Sequence, residues 1–108
     1  MAITINIYYK GAEGHARGFA EEMTALGIVE EIRAEAGNLR YEYFFPMEDP
    51  ETLLLIDSWE NQQALDIHHH SPMMAQIIAL REKYDLHMTV ERYVSADGED
   101  HDKAFIRE

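Results

Sequence analysis

Hydrophobic and polar positions alternate at the start of the chain. Over residues 2–10, Ile3, Ile5, Ile7 and Tyr9 share one face, while Thr4, Asn6, Tyr8 and Lys10 share the other. A period of two with β-branched and aromatic side chains predicts a half-buried strand, which Gly11 and Gly14 end. From Ala16 to Ala36 the spacing lengthens. Phe19, Met23, Leu26, Ile28 or Val29, and Ile32 recur at three- and four-residue steps, predicting a helix with a candidate kink at Gly27 and a stop at Gly37-Asn38.

Residues 38–46 and 52–59 predict two strands, and the short PMEDPE connection makes them an antiparallel hairpin. The first places Leu39, Tyr41, Tyr43 and Phe45 on one face. The second is apolar on both, with Leu53 and Leu55 against Leu54 and Ile56. One helical layer covers only one face of such a strand, so a partner sheet, hence a homodimer, is expected on the other. Asn61 is placed to cap a helix over 62–69. Ser71 as cap with Pro72 at the first helical position starts another, carrying Met73, Met74, Ile77, Ile78, Leu80 and Tyr84. A last strand spans 86–96.

The order β-α-β-β-α-β is the ferredoxin-like split of the α+β class. A single domain is expected over 1–96, followed by an acidic tail, 97–108, that is either loose or docked on a partner subunit. Nine Lys and Arg against 21 Asp and Glu give a formal charge of −12. That field repels phosphate backbones and anionic headgroups, so neither nucleic acid nor a membrane surface is an expected partner. The acidic surface and the scarcity of positive pocket candidates favour neutral or cationic ligands. With no cysteine, disulfides, thiolate metal sites and a Cys nucleophile are excluded. MAITINIYYKG is a strand and not a signal peptide, and no apolar run reaches the roughly 20 residues of a membrane span. A cytoplasmic location is expected.

The stretch from Glu35 to Pro72 resembles the antibiotic biosynthesis monooxygenase family, in particular its members described as quinol monooxygenases. Glu35 and Gly37 precede a strand bearing Tyr41, Trp59-Glu60 closes the next strand, and Ala64, His68 and Ser71-Pro72 follow. By order of elements the resemblance extends over about residues 3–95. It implies a dimeric α+β barrel in which two sheets face each other. It also implies oxidation of a small phenolic or quinol compound by dioxygen without metal or flavin, so no cofactor is expected. The family also contains haem degraders and an isomerase. The positions where haem degraders carry a Trp and a His fall here on His68 and Ile78, which argues against haem. An isomerase of small carbonyl compounds and a non-catalytic dimeric ligand binder stand as alternatives.

Several side chains could carry that chemistry. His68, His69 and His70 are consecutive, point about 100° apart on a helix and cannot converge on one ion; no metal site is expected. His68 matches the family histidine and is either the proton acceptor or a packing residue that orients its helix. Asn6 is placed as the positioner of a substrate or dioxygen-derived oxygen, or as an amide bonding a neighbouring element. Trp59 is either a stacking wall for a flat substrate or a core anchor. Tyr41, Tyr9 and Met74 complete the substrate-binding set, each with ordinary packing as the competing reading. Arg40 and Arg92 are expected to pair with acids such as Glu42 and Glu91 across the sheet.

Overall fold

Alternation in the first strand becomes β1 (Ile3–Lys10), and the hairpin becomes β2 (Asn38–Phe44) and β3 (Thr52–Trp59). With β4 (His87–Val94) these form one antiparallel sheet of order β2-β3-β1-β4 in a computed structural model that describes all 108 residues. This is the ferredoxin-like arrangement, with the hairpin strand β3 and the N-terminal β1 at the centre. Helices α1 (His15–Ala25), α2 (Ile28–Arg33), α3 (Gln62–His69) and α4 (Met73–Lys83) complete the fold.

Strand register sorts the side chains. Ile5 pairs with Asp57 on one side and Arg92 on the other, and Ile7 with Leu55 and Val90. Ile3, Ile7, Tyr9, Leu53, Leu55 and Trp59 therefore share one face and join Phe19, Met23, Ile28, Ile32, Leu65 and Ile77 in the core. The opposite face carries Asn6, Leu54 and Ile56, all half-buried and without a covering helix. Leu54 and Ile56 are the residues whose apolarity predicts a second covering layer.

Three local features depart from the sequence pattern. The helix expected over 16–36 is two helices, because Gly27 adopts a left-handed φ of 78°. Ser71 does not cap α4 with its side chain; Met74 N–H donates to its backbone carbonyl at 3.2 Å, and Oγ is buried without a partner. Pro72 lies just before the helix with helical torsions. Asn61 does cap α3, its Oδ1 accepting from Ala64 N–H at 2.9 Å. Residues 100–105 form an exposed 3-10 turn.

Gly37, between α2 and β2, is the tightest point of the chain. Its φ is +85°, and a Cβ there would stand 2.5 Å from the Ala64 Cβ on α3. Both conditions require glycine. The approach is closed by Glu60 N–H donating to the Gly37 carbonyl at 2.8 Å, so the 34–37 loop rests directly on α3. Gly37→Ala should lower stability by about 3 kcal/mol through left-handed strain and overpacking. Gly27→Ala, whose methyl group meets nothing within 4 Å, should lose only about 1 kcal/mol. Urea unfolding of the two variants checks the difference.

Candidate active site

Ala64 and His68 are four residues apart and share a face of α3. The loop that packs on Ala64 therefore passes over His68 as well, and Glu35 on that loop reaches it. His68 Nδ1 and Glu35 Oε1 are 2.8 Å apart, with the His68 side chain 5% and the Glu35 side chain 16% exposed. An ionised carboxylate only accepts, so the ring donates from Nδ1, and in the neutral ring Nε2 then carries the lone pair. Nε2 makes no hydrogen bond within the chain and is not sealed off. It keeps access to the cavity that His68 lines.

That cavity, about 380 Å³, lies between the helix-facing side of the sheet and the helices α3 and α4. Its size suits one small aromatic ring system. Ile5, Ile7, Leu55, Leu65, Met74 and Ile77 give it apolar walls.

Behind the histidine stands Trp59. Its ring stacks on that of His68 with centroids 4.8 Å apart and 28° between planes, and its Nε1–H donates to Asp57 Oδ1 at 2.8 Å. Trp59 and Asp57 are two residues apart in β3 and so project to the same side. Asp57 lines the cavity and is only 5% exposed. Burial pushes its pKa up to about 6, against the lowering pull of His68 and the Trp59 hydrogen bond. Asp57 and the His68 imidazole thus line one space as two neighbouring titratable groups.

The predicted site residues separate into three groups. His68, Tyr41 and Met74 line the cavity. Trp59 and Tyr9 are fully buried and do not; Tyr9 accepts from Arg81 Nε at 3.1 Å. Burial raises the pKa of Tyr9 and Tyr41, so both phenols stay protonated at neutral pH and serve as donors or packing. The expectation that Asn6 shares a cleft with His68 is corrected by register. Asn6 pairs with Ile56 and Glu91 on the opposite face, and its Oδ1 is buried there without a partner. His69 and His70 are exposed, and no group of three or more His, Asp or Glu side chains is placed to hold a metal ion.

Sequence reasoning missed Asp57 and Arg81, and placed Arg92 in a cross-strand ion pair. The signal for Asp57 was present, since an acid between Leu55 and Trp59 at the inward period of a strand is a buried carboxylate. Arg81 had none, because α4 as a whole shows little amphipathic contrast. Arg92 pairs with no acid; it donates to Gln62 Oε1 of α3. The expected scarcity of positive charge at the pocket is corrected by these two guanidiniums, both in the cavity wall.

Fold and cavity together define a ferredoxin-like protein with a buried acid–base cluster facing a small-molecule pocket. The sequence pattern described as antibiotic biosynthesis monooxygenase matches residues 2–80, and the chain belongs to that family. A candidate antibiotic biosynthesis monooxygenase from Deinococcus radiodurans is similar at TM-score 0.72 and 21% identity, over 93% of this chain and 97% of that one. PA3566 from Pseudomonas aeruginosa gives 0.75 and 25%, over 89% and 95%. A variant of SnoaB, a cofactor-independent oxygenase from Streptomyces nogalater, gives 0.74 and 11%, over 92% and 97%. A search of curated proteins finds no match. The fold is thus monooxygenase-like, and no helix is long and apolar enough to cross a membrane.

The raised Asp57 pKa has a thermodynamic signature. Between about pH 4 and pH 6 the native chain holds a proton on Asp57 that the unfolded chain, at its ordinary 3.8, has released. Stability from this group therefore falls as pH rises through that window and stays lost above it. Asp57→Asn keeps an oxygen for Trp59 and removes the charge. It should exceed the parent at neutral pH by on the order of 2 kcal/mol, the gap closing near pH 4. Denaturant melts at the two pH values measure it.

Proposed function

We propose that this protein is a monooxygenase that oxidises a small phenolic or quinol compound with dioxygen, using no cofactor. The observation that supports it best is the His68 ring, held through Nδ1 by Glu35 in the wall of a 380 Å³ cavity. A phenol bound there gives its proton to Nε2, and the phenolate is a far better electron donor to O₂ than the phenol. One oxygen atom enters the ring and the other leaves as water. The substrate supplies all the electrons, so a hydroquinone becomes a hydroxylated quinone. The protein encloses the pair, removes the proton and holds the ring. Tyr41 and Met74 are substrate-wall residues in this reading, Trp59 positions His68 by stacking, and Glu35 positions it by the Nδ1 bond. Tyr9 acts through Arg81, and Asn6 has no part in the cavity chemistry.

Oxygen uptake with a panel of hydroquinones tests the reading. Turnover should cease without O₂, and His68→Gln should lower it by about a hundredfold or more with the circular dichroism spectrum unchanged. Turnover that persists anaerobically, or that His68→Gln leaves intact, rejects it.

The reading extends to assembly. The bare sheet face with Leu54 and Ile56, and a β4 exposed along its whole length, suit a second copy laid sheet against sheet. The 97–108 tail, with Phe105 89% exposed, would dock on that partner. Light scattering should return twice the 12.5 kDa chain mass, and Ile56→Glu should return the single mass.

A further inference from the structure

The walls of the cavity are electrically unlike the rest of the molecule. The chain carries a net −12, yet Asp57 is the only carboxylate among the lining residues, against the guanidiniums of Arg81 and Arg92. Burial keeps Asp57 protonated up to about pH 6, so the positive excess is larger still in mildly acidic solution. No ion pair joins Arg81 or Arg92 to a carboxylate, although Arg81 lies close enough to Asp57 for its charge to pull that pKa down.

Each is held in place by a neutral group instead. Arg81 Nε donates to the buried Tyr9 hydroxyl at 3.1 Å, which fixes the guanidinium and leaves its two terminal nitrogens without a hydrogen bond in the chain. Arg92 donates through one terminal nitrogen to Gln62 Oε1. A guanidinium fixed at one corner with its fork unpaired is suited to take a carboxylate in two parallel hydrogen bonds.

The separation of Arg92 from Asp57 is also right. Asp57 and Arg92 both pair with Ile5, from opposite sides, so their backbones are two strand spacings apart, roughly 10 Å. Once the side chains lean inward, that gap accommodates one ring with a polar group at each end. Glu35, Asp57 and His68 lie within the family match at 2–80, whereas Arg81 and Arg92 lie past it.

We infer that Arg81, with Arg92 beside it, forms a subsite for an anionic substituent, so that the ligand is a hydroxylated aromatic acid and not an uncharged or cationic aromatic. The inference rests on the phenol-pocket reading given above, but it concerns binding alone. The phenolic end meets His68 and Asp57, and the carboxylate meets the arginines. This orientation turns the ring the same way in every encounter.

Titration calorimetry under nitrogen compares two probes, gentisate and hydroquinone, which differ by one carboxylate. The parent protein should bind gentisate about tenfold or more tightly than hydroquinone, as a charge-assisted pair requires. Arg81→Met should abolish that preference, while Arg81→Lys should keep part of it. If Arg81→Met fails to fold, Arg92→Met and Arg81→Lys give the same readout, each with a reduced preference. Equal affinity for the two probes in the parent overturns the inference, as does a preference that survives every arginine variant. Because no turnover is measured, tight gentisate binding without oxygen uptake would remove the oxygenase reading and leave the subsite standing.

Discussion

A 2.8 Å hydrogen bond between side chains 33 positions apart, Glu35 and His68, organises everything around the cavity. It exists because Gly37 lets a loop lie against α3 where any side chain would collide with Ala64. From that contact follow the placement of the ring in the pocket wall and the surface on which Trp59 stacks. Trp59 in turn donates to Asp57, so loop, helix and central strand are joined through buried polar atoms. Such a chain of hydrogen bonds in an apolar setting is costly to leave half made. It couples the folding of the 34–37 loop to the readiness of the site.

The fold was legible because its signals are periodic. Alternation marked β1 and the hairpin, and Asn61 announced α3 through chemistry that needs only local neighbours. What sequence could not supply was direction. Asn6 and Ile5 are adjacent, and only the register between β1 and its neighbours decides which of them looks into the cavity. His68 was visible as a candidate, but the Glu35 bond that gives it a role depends on a glycine–alanine contact spanning 27 residues of chain. Arg92 read as half of a cross-strand ion pair and Arg81 gave no signal, since nothing in a linear pattern shows that two residues 11 positions apart line the same space.

Asp57 illustrates a trade between stability and chemistry. A carboxylate inside a row of Leu53, Leu55 and Trp59 weakens the core above pH 6, and an amide would serve the packing as well. Proteins retain such groups where proton affinity near neutrality is useful. The arrangement also explains why the tyrosines are poor candidates for bases. Burial raises the pKa of both phenols and carboxyls, but a carboxyl starts low enough to be brought close to neutrality, whereas a phenol is driven beyond reach.

Trp59 is the only indole in the chain, and it lies flat against the imidazole while its N–H touches the carboxyl beneath the pocket. A charged imidazole quenches an excited indole, and loss of the carboxylate charge shifts its emission. The molecule thus carries a built-in optical probe, its single indole, beside the buried Asp57 and His68 side chains.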